Sequence, residues 1–320
     1  MQLLCLLLAC LQGQAPAAPV QDPPLALVPH WEIGPLLRRE LVKGREDWEE
    51  DKLQKSSKTV TTIAVEVLAK SAAGWVMRWT FGHTSVIEGA GKDKDYAERM
   101  ASLNEGMRLD VRLSRTGTVD GLADPQGLQR HYSRMLQEVE KGLLEKGMQT
   151  RVVAEMMKDA TERVLGPGFE HSSLVEVELM HRCLLLPLVP GKKTEYEGEL
   201  PNPFGGDPFP ALGTCQLDAP DLARKQAAVH FTLAIDPQKT RDLILAWMTE
   251  LARRSGKPPP QGPDDLPLKG LEETTFCLLD LENCLPRNVE HVRTTRIQKH
   301  KRIDRTFLRV LPEPAKDKPR

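Results

Sequence analysis

Hydrophobic and polar residues alternate along the first third of the sequence, from about Leu36 to Asp120. Such alternation is the pattern of a strand with one buried face. Two alternating runs flank Gly74 within residues 59–86, and they predict a β-hairpin whose strands are antiparallel neighbours. The returning strand carries four bulky residues on one side, here called the aromatic face: Trp75, Met77, Trp79 and Phe81.

The aromatic face has two interpretations, which the sequence leaves open. A sheet that packs on helices needs large apolar side chains on its covered side, and we favour this role. Alternatively the sheet curves around a cavity, and Trp75, Met77, Trp79 and Phe81 line a site for an acyl chain, a sugar or an apolar peptide. Basic residues are not interleaved with the aromatics as in a groove for single strands, so no nucleic-acid partner is predicted.

The middle third of the sequence changes to helical spacing. Asp124 and Pro125 form an N-cap followed by a proline at the first helical position, and apolar residues then recur every three or four positions. A second amphipathic segment ends at the Gly-Pro-Gly of residues 166–168. A third helix is expected from Ser173, where a capping-box spacing begins, to about Leu185.

Strand character returns in the last third. Residues 193–219 predict two strands around a Pro- and Gly-rich loop, and Asp236-Pro237 begins another helix. A hairpin is expected over residues 274–298, with a final strand over 305–311. Segregated strands and helices predict an α+β fold in which a largely antiparallel twisted sheet, open to a half-barrel form, packs on amphipathic helices.

The folded part is expected over residues 36–310 as an α+β domain, followed by a charged tail at 311–320. A division into two sheet-plus-helix halves, 36–185 and 186–310, is left open.

The chain opens with an apolar run over residues 3–11. A transmembrane helix needs about 20 apolar residues, whereas this run fits the ~7–15-residue hydrophobic region of a signal peptide. Residues 1–17 are therefore predicted to be a signal peptide, and 18–35 a disordered linker. Cys10 follows a short motif that resembles a bacterial lipoprotein box, so its lipidation is left open. An exported protein, periplasmic or extracellular, without a transmembrane helix is predicted.

The end of the chain is basic although the net charge of the whole sequence is −1. Residues 285–320 contain eleven Lys and Arg residues against four Asp and Glu residues. In an extended segment Arg296, Gln298, His300 and Arg302 project to one side. This strip suits an anionic envelope polymer or lipid head group, but we favour an edge strand that its charges protect from self-association.

Four cysteines remain after the predicted signal peptide: Cys183, Cys215, Cys277 and Cys284. An even number in an exported chain permits disulfides, and Cys277 with Cys284 is the easiest pair because the two flank a short turn. No pair has the C-x-x-C spacing of a zinc site, so no metal is predicted.

The sequence lacks the common catalytic motifs of esterases, zinc peptidases and phosphate-binding loops. It contains neither G-x-S-x-G nor H-E-x-x-H, and the GAGK at residues 89–92 lacks the first glycine and the Ser or Thr of a phosphate loop. No cofactor is predicted. Asp280 and Glu282 flank the predicted turn near residue 282, where acid–base work is conceivable, although turn-favouring side chains explain both positions.

The segments YEGELPNPFGGDPFPA and FCLLDLENCLPRNVEHVRTTRI, in this order of strands and helices, resemble uncharacterised exported bacterial proteins. Their twisted half-barrel sheet surrounds helices, as in periplasmic lipoprotein carriers. The resemblance covers most of the mature chain in layout, and it implies a carrier or interaction role with a lipid or envelope component, without transferring any site residue. We therefore expect a non-catalytic envelope protein that binds an apolar ligand, a polymer or a protein. The alternative is an exported hydrolase with an unrecognised carboxylate or histidine site.

Overall fold

The structure is a computed structural model. It describes residues 25, 27–89, 98, 102–166, 169–184, 188–202, 208–255 and 268–312. The predicted signal peptide with Cys10, residues 18–24 and 26 of the predicted linker, and the charged tail from residue 313 lie outside the described residues.

Eleven strands form one sheet in the described part of the chain, and each neighbouring pair is antiparallel. The strands are β1 Gly34–Glu49, β2 Lys52–Ser71, β3 Gly74–Glu88, β4 Arg108–Ser114, β5 Val119–Leu122, β6 Lys193–Leu200, β7 Phe209–Leu217, β8 Gln226–Ile235, β9 Leu268–Asp280, β10 Pro286–Ile297 and β11 His300–Val310. Their spatial order is β5-β4-β3-β2-β1-β11-β10-β9-β8-β7-β6, so the first and last strands pair at the centre.

Four helices are described: α1 Pro125–Glu145, α2 Thr150–Leu165, α3 Phe169–His181 and α4 Pro237–Ser255. The predicted cap of α1 is confirmed, since the Asp124 carboxylate accepts a hydrogen bond of 2.8 Å from the Gly127 N–H. The start predicted for α3 is wrong by one turn, because the helix begins at Phe169. Ser173 lies inside the helix, where its hydroxyl donates to the Phe169 carbonyl. One 3₁₀ turn, Arg182–Leu184, follows α3.

The aromatic face lies on the side of the sheet that the first three helices cover. Met77 and Trp79 have no exposed surface, while Trp75 and Phe81 keep 9% and 8%. The same core cluster contains Val177 and Met180 of α3. These side chains therefore fill the space between sheet and helices.

The second part of the core lies near α4. Ile244 of this helix packs with buried side chains of the strands at the β6 edge, namely Leu200, Phe209, Ala211, Leu233, Leu268 and Leu271. No helix within the described ranges is long and apolar enough to cross a bilayer.

The sequence suggested that the basic strip is an edge strand, and this prediction is wrong. β10 and β11 form a hairpin around Gln298, and they lie between β9 and β1 in the middle of the sheet. The edges of the sheet are β5 and β6. Alternation showed which residues share a face of a strand, but it contains no information on where that strand lies in the sheet.

The predicted fold class is confirmed. The protein has a large, open, twisted antiparallel sheet of half-barrel form with helices packed against it.

Candidate functional site

The central strands end at different levels, and this leaves a gap in the sheet. The pairing of β11 with β1 stops at Val310 opposite Arg39, although β1 begins five residues earlier, at Gly34. The pairing of β11 with β10 stops at Arg309 opposite Asn288. Beyond this level none of the described strands lies between β1 and β10. A groove of about 1030 Å³ occupies this end of the central strands, and we call it the slot.

The slot is lined mainly by apolar side chains. Its walls are residues 35–39 of β1, residues 285–288 at the start of β10 and residues 310–312, with residues 64–66 of β2 and Leu278 of β9 beside them. Such a size and composition are those of a site for a small apolar ligand.

Prolines restrict how the slot can be occupied. Pro35 lies in one wall and Pro286 in the other, and a proline nitrogen carries no hydrogen. A peptide that continued β11 as an added strand would find fewer donors on both walls than a regular sheet edge offers. The slot is therefore better suited to apolar contact than to strand addition.

The carboxylate candidates Asp280 and Glu282 are engaged in ion pairs at the border of the slot. Asp280 accepts a hydrogen bond of 2.9 Å from Nε of Arg287, whose Nη2 lies 2.8 Å from the same carboxylate oxygen. It also accepts one of 2.9 Å from the Glu282 N–H, and the Glu282 carboxylate pairs with Lys225. These contacts stabilise the turn between β9 and β10.

Arg39 is a buried cation in the wall of the slot. The residue has no exposed surface, and its Nη2 donates to the Pro286 carbonyl across the gap between β1 and β10. Nε and Nη1 have no hydrogen-bond partner among the described residues. Burial lowers the pKa of Arg39 to about 9, so the guanidinium remains charged at neutral pH.

A second polar cluster lies on the helix-covered side of β9 and β10. Glu273 is 4% exposed, and its Oε1 lies 2.6 and 2.5 Å from Nε and Nη2 of Arg293. Arg182 approaches Glu273 to 3.7 Å and donates a 2.9 Å hydrogen bond to the Thr275 hydroxyl. The same hydroxyl lies 2.9 Å from Nδ1 of His291, whose Nε2 is 3.9 Å from Glu273.

Thr275, His291 and Glu273 follow one another like the nucleophile, base and acid of a hydrolase. All three are almost completely buried, at 2%, 5% and 4% exposure, and the Thr275 hydroxyl already accepts from Arg182. A substrate therefore has no path to the hydroxyl in this structure. The cluster connects the 3₁₀ turn after α3 to the sheet.

Two buried histidines make the stability depend on pH. Burial lowers the pKa of His181 and of His291 to about 4 each, from 6.5. Between these values the unfolded chain binds more protons than the native state, so stability falls as the pH is lowered. From about pH 7.5 to about pH 5 we expect each histidine to remove about 2 kcal/mol from the free energy of unfolding.

Urea unfolding of His181→Asn and His291→Asn at both pH values measures this loss. The Asn side chain can keep a hydrogen bond to the Gly117 carbonyl, which Nδ1 of His181 makes at 2.8 Å, and cannot take up the proton. Each variant should lose less stability than the wild type on acidification. An equal loss in both proteins would show that the histidine is not protonated on unfolding.

The aromatic face lies apart from the slot, whereas the carboxylate candidate Asp280 lies in its lining. None of Trp75, Met77, Trp79 and Phe81 lines it, and ligand binding by these four side chains stays a prediction. Arg39 was missed, although its position between Leu37 and Leu41 on the inward side of β1 is the signal that could have found it.

The four described cysteines are buried. The neighbouring Cys277 side chain, together with burial, raises the pKa of Cys183. Burial raises the pKa of Cys215 to about 11. The disulfide between Cys277 and Cys284 stays a prediction. Within the described residues, no group of three or more His, Cys, Asp or Glu side chains is arranged to hold a metal ion.

Comparisons with known proteins give a weak structural similarity and no sequence match. No protein-family model matches the sequence, and no curated protein matches it. One solved structure, which concerns lipid–protein interactions in lipovitellin, superimposes with a TM-score of 0.45 and 8% sequence identity. The match covers 91% of this chain and 27% of that chain, so this protein spans about a quarter of the lipovitellin chain.

Proposed function

We propose that this protein is an exported, non-catalytic binding protein that holds an apolar ligand in the slot. The observation that supports this function best is the groove of about 1030 Å³, lined mainly by apolar side chains, where β11 ends between β1 and β10. A groove of this kind binds a ligand by burying apolar surface. A lipid or another apolar envelope component fits this description.

Two further features support the proposal. The helix-covered side of the sheet is packed at the aromatic face, whereas the slot is open. The apolar run at residues 3–11 supports export, because it has the length of a signal-peptide core.

Calorimetric titration with 1-dodecanol tests the proposed function. This probe supplies an apolar chain without a charge. Ala64 is exposed in the slot, so Ala64→Phe should obstruct the chain and weaken binding about tenfold, which corresponds to ~1.4 kcal/mol.

Ala234→Phe is the matched control. Ala234 is an exposed alanine of β8 that does not line the slot, and its substitution should change the affinity less than about twofold. No binding of dodecanol to the wild-type protein, or equal loss in the two variants, would contradict the proposed site.

A further inference from the structure

We propose that the ligand of the slot is an acyl chain that ends in a carboxylate, and that Arg39 binds this carboxylate. The inference rests on the proposed function, since the slot must first take the chain.

Two nitrogens of the buried Arg39 side chain have no acceptor among the described residues. A guanidinium has five N–H groups, and a buried charge is normally balanced by an opposite charge with hydrogen bonds. In the described residues Arg39 has one acceptor, the Pro286 carbonyl, while Nε and Nη1 have none. A planar carboxylate matches the fork of donors that remains. Because Arg39 has no exposed surface, the carboxylate reaches these donors only when the side chains that cover Arg39 in the slot move aside.

The charges around the slot favour an anion. Its lining contains the three cations Arg38, Arg39 and Arg287 against the two carboxylates Glu66 and Asp280. Because Asp280 and Arg287 neutralise each other, Arg38 and Arg39 remain against a single acid. None of the described carboxylates forms an ion pair with Arg39.

One neighbouring group competes for Arg39. His181 has its Nδ1 bonded to the Gly117 carbonyl, and its buried Nε2 has no partner among the described residues. A hydrogen bond from Arg39 to Nε2 of His181 would give His181 a partner, and would pair one of the two free Arg39 nitrogens, without a ligand. The charge of Arg39 would still lack a counter-ion, because burial keeps His181 neutral near pH 7 by lowering its pKa to about 4.

A comparison of dodecanoate with 1-dodecanol separates the contribution of the head group to the affinity from that of the chain. At about pH 7.5 the wild-type protein should bind dodecanoate about tenfold more tightly than dodecanol. Arg39→Met keeps a side chain of similar length without the charge, and it should bind both ligands with the affinity that the wild type has for dodecanol. Arg38→Gln, at an exposed arginine of the same slot, should lose less of the preference than Arg39→Met, and Arg115→Gln, at an exposed arginine that does not line the slot, should retain it.

The outcomes distinguish the role of Arg39 from the binding of an apolar chain in the slot. Equal affinity of the wild type for the two ligands, or a preference that persists in a folded Arg39→Met protein, overturns the role of Arg39 and leaves the apolar site intact. A preference that disappears in Arg38→Gln alone also overturns it. Failure of both ligands to bind the wild type contradicts the proposed function itself. Circular dichroism and urea unfolding show that each variant is folded, and Arg39→Lys, which keeps the charge, should bind dodecanoate better than Arg39→Met does.

Discussion

Trp79→Ala should lower the free energy of unfolding by about 3–5 kcal/mol, the cost typical of removing a large aromatic side chain from a packed core. Trp79 has no exposed surface, and it lies between Val65 of β2 and Leu109 of β4 in the sheet register. The substitution would leave a cavity at the centre of the main core cluster, which the surrounding strands can fill only in part.

Trp79→Phe separates packing from the indole N–H group. Nε1 of Trp79 is buried without a hydrogen-bond partner among the described residues, so phenylalanine removes an unsatisfied donor while it keeps most of the volume. We expect a loss below about 2 kcal/mol for this variant. Urea unfolding followed by circular dichroism measures both. If Trp79→Ala left the stability unchanged but abolished dodecanol binding, the ligand site would lie at the aromatic face and not in the slot.

Glu273→Gln should lower the free energy of unfolding by about 3 kcal/mol, because it removes the counter-charge of a buried ion pair. Arg293 and Arg182 would then face each other across a neutral amide. The effect belongs at the lower end of the range for such pairs, since the two arginine side chains keep 29% and 23% of their exposure and water can screen them in part.

Glu272→Gln is the matched control one residue away. Glu272 pairs with Arg296 at 3.1 Å, and both side chains are about half exposed. An exposed pair of this kind contributes about 0–1 kcal/mol. Denaturant unfolding of the two variants in parallel should show a clear difference, whereas similar small losses would mean that the Glu273 cluster contributes little to the fold.

The local parts of the fold could be predicted because their signals lie close together in the sequence. The alternation from Trp75 to Phe81 identified the covered face of β3, and Gly74 identified the hairpin before it. The structure explains that glycine, since its φ is +143° and a Cβ there would collide with the Leu113 carbonyl. Asp124-Pro125 and Asp236-Pro237 marked two helix starts in the same way.

The site could not be predicted because it depends on pairing between distant strands. The slot exists because β11 stops at Val310 while β1 starts at Gly34, and a register between the two ends of the chain is not visible in either strand alone. The predicted edge position of the basic strip was wrong for the same reason. Polar residues at inward positions, such as Arg39 and Glu273, become conspicuous only after the faces of the strands are assigned.

Diffraction from crystals grown with dodecanoate brominated at the end of its chain tests the central claim most directly, because the anomalous signal of bromine locates the chain without assumptions. We predict a bromine peak within the slot, between residues 35–38 and 285–288, and the carboxylate at Arg39. A bromine peak among Trp75, Trp79 and Phe81, or at a surface away from the end of β11, would contradict this account.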